Sequence, residues 1–162
     1  MDFIIKTVDD PELRRPARAV RKFNQALRDL VEGMARAMYA ANGVGLAAPQ
    51  VGVSRSVVVV DAGDGLLELI NPVITRAEGT EQAWEGCLSV PGVLALIERS
   101  QTVQVAGQDP HGRSVWVEAD GLKARALQHE LDHLNGVVIL DRAIELKEDT
   151  PEEAGEAEEE IP

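Results

Sequence analysis

The segment richest in possible chemistry has two histidines four residues apart, with a glutamate after the first: His129-Glu130-Leu131-Asp132-His133. On a helix, four residues advance about 400°, so both imidazoles would point the same way, about 6 Å apart along the axis. One small cation could bind both, while Glu130, about 100° around, could handle a proton on bound water. This is the H-E-x-x-H pattern of hydrolytic metal sites, although a helix with satisfied core histidines can also carry it.

Such a pair needs a third ligand. Metalloproteases usually supply it downstream as glutamate or histidine, but here no histidine follows His133 and the next acidic residue is Asp141. Upstream stands Cys87, the only cysteine of the chain. It could be an ordinary buried thiol, but the neighbouring Gly86 and Ser89 favour a site loop over a core strand. A Cys/His/His set leaves one position open for water, as a catalytic metal requires.

A second segment of interest has almost no side-chain bulk: Gly43-Val44-Gly45-Leu46-Ala47-Ala48-Pro49-Gln50. Its glycines would let an extended ligand lie against the backbone. Taken alone, the segment is equally typical of a structural helix-to-strand turn.

The elements that must position these residues follow from hydrophobic spacing. Apolar residues at three- and four-residue steps predict a long amphipathic helix from about Pro16 to Ala41, with Met34 and Met38 in the core and Asn42-Gly43 as its stop. Next come strands predicted at Val57–Val60, at 66–70 and, after Asn71-Pro72, at 73–75, and a hairpin of 103–105 with 115–117. His111 falls in that hairpin's turn and is expected to be exposed.

A second helix is predicted from the N-cap candidate Asp120 to Asn135-Gly136. Leu122, His129 and His133 share one stripe of it, so the histidines would face the interior, where bare imidazoles are costly unless something binds them. We therefore expect an α+β fold of short antiparallel strands packed around a central metal-binding helix, with a long N-terminal amphipathic helix.

The whole chain of 162 residues is predicted to form one catalytic domain at 1–146 and an acidic, disordered tail at 147–162. Nine acidic residues and one lysine lie between Glu145 and Glu160, with Pro151 and Gly155 to break a helix. The net charge of −12 argues against direct nucleic-acid binding. No apolar run is long enough for a membrane span, and we see neither a targeting segment nor a possible disulfide. A cytoplasmic location is expected.

Three segments together resemble the peptide deformylase family. Its motifs G-x-G-L-A-A-P-Q, E-G-C-L-S and Q-H-E-x-D-H-L-x-G stand here, in order and without a mismatch, as Gly43–Gln50, Glu85–Ser89 and Gln128–Gly136. Similarity extends from about residue 3 to residue 142.

The resemblance implies a hydrolase that removes formyl groups from N-terminal formylmethionine and releases formate. Glu130 would be general base and then acid, while the Gln50 amide and the Leu88 backbone N–H would stabilise the developing oxyanion. The implied metal ligands are Cys87, His129 and His133, and the implied substrate contacts are Val44, Gly45, Leu122 and the stem of Arg125. A bond from Asp132 to Arg99 would anchor the helix, although Asp132 could equally be a solvated helix charge.

The donor set alone suggests zinc, whereas the resemblance favours Fe(II), with zinc or nickel as substitutes. Many members carry an arginine seven residues after the metal cysteine, where this chain has Leu94. Some end in a basic helix thought to dock on the ribosome. Here the C-terminus is acidic, so ribosome proximity is possible but not through such a helix.

Three rival interpretations remain. A metallopeptidase would cleave internal amides and leaves Cys87 unexplained. A non-catalytic metal module would need a fourth protein ligand, and a degenerate deformylase would have lost a chemical position, yet every one is present.

Overall fold

A computed structural model describes residues 2–149 of the chain, and the tail predicted at 147–162 therefore lies largely outside the described residues. The helices and strands are, in chain order, a 3-10 turn Pro11–Arg14, α1 Gln25–Ala40, β1 Gly45–Ala47, a 3-10 turn Ala48–Val51, β2 Val57–Val60, β3 Leu67–Glu78, β4 Glu81–Cys87, β5 Val90–Arg99, β6 Thr102–Gln108, β7 Ser114–Asp120, α2 Gly121–Leu134, α3 Ile139–Arg142 and β8 Glu145–Glu148.

Two antiparallel sheets carry the strands. One has the order β1-β2-β3-β6-β7 and the other the order β4-β5-β8. The predicted mixture of helices and antiparallel strands is confirmed. The strand at Val57–Val60 and the hairpin are confirmed as well, with Val105 opposite Val117 in the latter.

The four valines of β2 explain how the larger sheet is covered. Val58 and Val60 pack in one apolar cluster with Leu127 of α2, whereas Val57 and Val59 pack in another with Met34 of α1. Successive side chains of a strand point to opposite faces, so this continuous run of valines is buried by a helix on each side. Both helices are thereby fixed against the same strand.

The start of α1 differs from the prediction. Helix α1 begins at Gln25 rather than near Pro16, and the Asn24 side chain caps it by accepting from Leu27 N at 3.1 Å. The preceding residues are extended, because the backbone of Val20 exchanges hydrogen bonds with the Asn71 side chain at 2.8 and 2.9 Å. The helical spacing of Val20 with the residues that follow was therefore misleading.

Asn71-Pro72 does not end a strand as predicted. Strand β3 runs straight through, and a register shift between Ile70 and Val73 absorbs the irregularity as a bulge, with Asn71 at φ 52°. A proline is tolerated at such a bulge because no ladder hydrogen bond is required of it there.

The predicted domain boundary at residue 146 falls inside an element. The acidic run was expected to be solvated from Glu145, but β8 pairs with β5 from Glu145↔Leu96 to Glu148↔Val93. Backbone pairing with β5, the central strand of this sheet, orders these four residues despite their charge. Lys147 also places its ammonium 4.1 Å from the centre of the Trp84 ring.

Candidate metal centre

Cys87, His129 and His133 meet at one point although 46 residues separate the first from the last. Their ligand atoms all lie within 4.8 Å of one another, and Cys87 Sγ is 3.4 Å from His133 Nε2. All three side chains are buried. Helix α2 holds the two imidazoles with ring centroids 5.1 Å apart, as the spacing of four residues predicts.

The cysteine was expected in a loop, but Cys87 is the last residue of β4. The tight turn at Leu88-Ser89 then leads directly into β5. A strand end gives the thiol a fixed position, and the turn begins at the next residue. The site therefore combines a rigid strand end with a rigid helix, which suits a preorganised metal site.

The donor set fits a divalent cation. A thiolate and two imidazoles are ligands of zinc and of related transition metals. Burial, together with the positive charge of Arg99, holds the pKa of His133 well below its ordinary value, so this ring is neutral and able to ligate. No fourth His, Cys, Asp or Glu ligand joins the set within residues 2–149, and His111 is exposed in the hairpin turn. Catalytic zinc sites have three protein ligands and keep the fourth position for water or substrate.

Glu85 orients His129 and was not assigned a role from the sequence. Its Oε1 accepts from His129 Nδ1 at 2.9 Å, which leaves Nε2 of that ring for a metal. Burial alone would raise the pKa of Glu85, but hydrogen bonds from His129 and Arg99 lower it to about 2. An acidic residue two positions before the only cysteine was the available signal.

Two arginines surround Glu85. Arg99 donates through Nε and Nη2 to both carboxylate oxygens, at 2.5 and 2.9 Å, and Arg125 Nη1 donates to Oε2 at 2.6 Å. The Arg125 guanidinium also donates to the carbonyls of Ile97 and Glu81, at 3.1 and 2.7 Å. Its charged end is therefore committed to the protein, which leaves only its stem for a substrate.

The bond suggested between Asp132 and Arg99 is present. Arg99 Nη1 donates to Asp132 Oδ2 at 2.9 Å, and Arg142 of α3 donates to both oxygens of the same carboxylate. Gln128 ties α2 to the end of β5 by exchanging hydrogen bonds with the backbone of Ser100, both at 2.9 Å. These bonds fix the rotation of α2 and hence the direction of its histidines.

Glu130 is 1% exposed, and its Oε1 has no hydrogen-bond partner within residues 2–149. Burial acts most strongly on this carboxyl and raises its pKa to about 7, against the opposing positive charge of Arg99. A carboxyl with a pKa near neutrality can both accept and donate a proton at physiological pH.

The Gly43–Gln50 segment contains more structure than the predicted loop: strand β1 and a 3-10 turn that carries Gln50. Ala47 N donates to Gln50 Oε1 at 2.9 Å, so the amide NH₂ of Gln50 points the other way. That NH₂ donates to Ser89 Oγ at 3.0 Å and lies 3.9 Å from Cys87 Sγ. The structure thus brings Gln50, predicted from the sequence, next to the cysteine.

The remaining predicted residues lie on three elements. Val44 directly precedes β1, an edge strand of its sheet, and Gly45 is the first residue of that strand. Leu88 is half-buried in the β4–β5 turn. Leu122 is 38% exposed in the first turn of α2. Leu94, where an arginine was noted as common, is buried in β5 opposite Lys147.

Comparisons with known proteins agree with this geometry. The family model described as polypeptide deformylase matches residues 3–149. A peptide deformylase of Pelotomaculum thermopropionicum is 48% identical over 149 residues, which cover 92% of this chain and 96% of that protein.

Two solved structures are similar as well. The crystal structure of peptide deformylase from Thermotoga maritima has a TM-score of 0.87 and 45% identity, covering 90% of this chain and 99% of that one. A peptide deformylase from Synechococcus elongatus, solved in complex with actinonin, has a TM-score of 0.84 and 44% identity, covering 96% and 83%.

Proposed function

The chain belongs to the polypeptide deformylase family, and we propose from this premise how its residues carry out the reaction. It is a metal-dependent hydrolase that removes the formyl group from the N-terminal formylmethionine of newly made proteins and releases formate. The observation that carries the residue assignments is the meeting of Cys87, His129 and His133 beside the buried carboxyl of Glu130.

Cys87, His129 and His133 would hold the metal. When bound, a divalent cation supplies a Lewis acid that lowers the pKa of a water molecule and polarises the formyl carbonyl. We favour Fe(II) as the native metal by family resemblance, with zinc or nickel as substitutes. Glu85 supports the assignment, because its contact with His129 Nδ1 directs the other ring nitrogen toward the thiol.

Glu130 would move the proton. Its pKa of about 7 lets it accept a proton from the attacking water and return it to the amine that leaves when the C–N bond of the formamide breaks. Its burial excludes bulk water from this transfer. The products are formate and a peptide with a free amino terminus.

Gln50 and Leu88 would stabilise negative charge on the formyl oxygen. The Gln50 amide is held by Ala47 and Ser89 with its N–H groups toward Cys87. The backbone N–H of Leu88 follows the cysteine directly. Fixed donors of this kind act most strongly where charge develops in the transition state.

The peptide would bind along β1. As an edge strand, β1 offers the backbone beside Val44 and Gly45 for pairing with an extended chain. Leu122 and the stem of Arg125, on the same helix as the histidines, would contact the methionine side chain. The lack of an arginine at Leu94 would affect only contacts beyond the methionine.

N-formylmethionyl nascent chains are the proposed partners, with ribosome proximity possible but not through a basic C-terminal helix. We assign the enzyme to the cytoplasm. Within residues 2–149 no helix is both long and apolar enough to cross a membrane.

Protein purified without oxygen tests the assignment of function. It should release formate from a formylmethionyl peptide and leave the internal amides of that peptide intact. Metal measured on the same sample should approach one ion per chain. Cleavage of internal amides, or of unformylated peptides only, would contradict the proposal.

A further inference from the structure

The basic residues of this acidic protein are unevenly distributed. Between Arg14 and Arg28 there are six Lys or Arg residues and no acidic residue, although the whole chain has a net charge of −12. Charges further away than about 8 Å are largely screened at physiological ionic strength. A ligand at this segment would therefore experience a locally positive surface.

The ion pairs show which basic residues are already neutralised by a carboxylate. Nine of the sixteen basic residues pair with a carboxylate within residues 2–149. Of the others, Arg28 donates to a carbonyl and Lys147 lies over Trp84. The five without such a contact in the described part of the chain form what we term the cationic strip: Arg15, Arg18, Arg21, Lys22 and Arg55.

The backbone presents the strip in a fixed form. Ala17 N donates to Leu134 O at 2.8 Å, and the backbone of Val20 is held by the Asn71 side chain. Ala17 and Val20 pack into the apolar clusters, whereas the arginines at positions 15, 18 and 21 are exposed. Because the backbone is already ordered, a ligand would not have to order it.

Arg18 and Arg55 are held side by side. A parallel bridge joins them, with Arg18 N donating to Ser54 O at 3.2 Å and Ser56 N donating to Arg18 O at 2.8 Å. Like charges opposite each other on paired strands are destabilising. Neither arginine pairs with a carboxylate within residues 2–149, and both are exposed, so an external anion could reach both.

We propose that the cationic strip binds the phosphate backbone of RNA. Four of its five members are arginines, whose planar guanidinium suits bidentate contact with phosphate oxygens. A row of charges along an extended segment suits a linear polyanion. No large apolar side chain between residues 14 and 28 is exposed, so the strip lacks the apolar anchor of an interfacial membrane site. The net charge of −12, which argued against nucleic-acid binding, is a sum over the whole chain. The cationic strip itself is positively charged.

The inference concerns a surface apart from the metal centre and does not depend on the proposed function. Its probe is a fluorescently labelled single-stranded RNA of 20 uridines, titrated with the full chain at 50 and 200 mM salt. On a plot of log affinity against log salt concentration, each phosphate contact contributes about 0.7 to the slope for a single strand. Five contacts therefore predict that affinity falls about 130-fold between these two concentrations. Substituting R15Q, R18Q and R21Q together should reduce that fall to about sevenfold.

The matched control is R36Q, R76Q and R113Q together, which removes the same charge from exposed arginines that pair with acidic residues. It should bind RNA as the unmodified chain does. Circular dichroism spectra and melting temperatures equal to those of the unmodified chain would show that both triple variants are folded. If the strip variant does not fold, R18Q alone should lower the slope by about 0.7.

Three results with RNA would overturn the proposal: no binding at 50 mM salt, equal salt slopes for the strip variant and the unmodified chain, or a control variant whose RNA affinity falls as much as that of the strip variant. Vesicles containing phosphatidylserine, and polyglutamate, serve as competing polyanions. If either binds as tightly as RNA, the strip is not an RNA site.

Discussion

Gly45 lies so close to Glu130 that no side chain fits between them: a Cβ added at Gly45 would come within 2.5 Å of Glu130 Oε2. Strand β1 and helix α2 thus meet at the carboxylate that we assign as general base. Gly45 does not have a positive φ, so this glycine is required by the close approach and not by backbone conformation.

The variant G45A should therefore displace the Glu130 carboxylate. A misplacement of about 1 Å can cost about a hundredfold in rate, so we expect kcat to fall by roughly that factor while metal content is unchanged. Steady-state kinetics and metal analysis measure both. G63A is the control, because a Cβ there meets nothing within 4 Å although φ is 104°. It should lower stability without lowering kcat, and a G45A enzyme as fast as G63A would contradict the assignment.

Replacing Glu85 should be the most destabilising single change near the site. E85Q leaves the buried guanidinium groups of Arg99 and Arg125 without their common counter-charge, and breaking such buried pairs costs about 3–5 kcal/mol. Metal affinity should also fall about 10–100-fold, because His129 loses its orienting partner. Denaturant unfolding and metal titration measure these effects.

E81Q provides the comparison for E85Q, since Glu81 begins the same strand and is exposed. Its free energy of unfolding should stay within about 0.5 kcal/mol of the original. If E85Q changed the free energy of unfolding as little as E81Q, the ion pairs around Glu85 would contribute little to stability.

Replacing Asp132 should lower the free energy of unfolding less than replacing Glu85. D132N weakens the bonds from Arg99 and Arg142, but Arg99 keeps both contacts with Glu85. A hydrogen bond to a charged group contributes about 1.5–3 kcal/mol, so we expect a loss in that range with activity largely retained. Urea unfolding of D132N and E85Q side by side checks the order. A larger loss in D132N would show that Asp132, not Glu85, is the main anchor of Arg99.

Removal of the metal should lower the melting temperature as well as the rate. A ligand present at a hundred times its dissociation constant stabilises the folded state by about 2.7 kcal/mol. Chelation should remove that stabilisation, and Fe(II) added without oxygen should restore both properties. C87S should lack the metal-dependent shift in melting temperature. A chelated enzyme with full activity would exclude a metal role.

The parts of the site predictable from sequence were those set by local spacing. The two histidines share a helix face because of their four-residue separation, and Val57–Val60 reads as a buried strand by composition. The start of α1 was not predictable in this way, since the hydrogen bonds that keep Val20 extended come from Asn71, 51 residues away.

The role of Glu85 was also not predictable from local spacing. Its importance depends on Arg99 and Arg125, which reach it from β5 and α2 and are invisible to any local pattern. The edge position of β1, which supports the proposed peptide track, likewise follows only from the order of strands in the sheet. The role of Glu85 and the edge position of β1 thus depend on residues distant in the sequence, which local spacing does not reveal.

The variant E130Q, compared with the unmodified chain in one anaerobic assay of formate release from a formylmethionyl peptide, tests the proposed chemistry most directly. Glutamine fills the same buried space but cannot accept the proton. We expect one metal ion per chain in both proteins and a rate at least about a hundredfold lower in E130Q, the scale of a lost general base. Full formate release by metal-loaded E130Q would contradict the proposed mechanism.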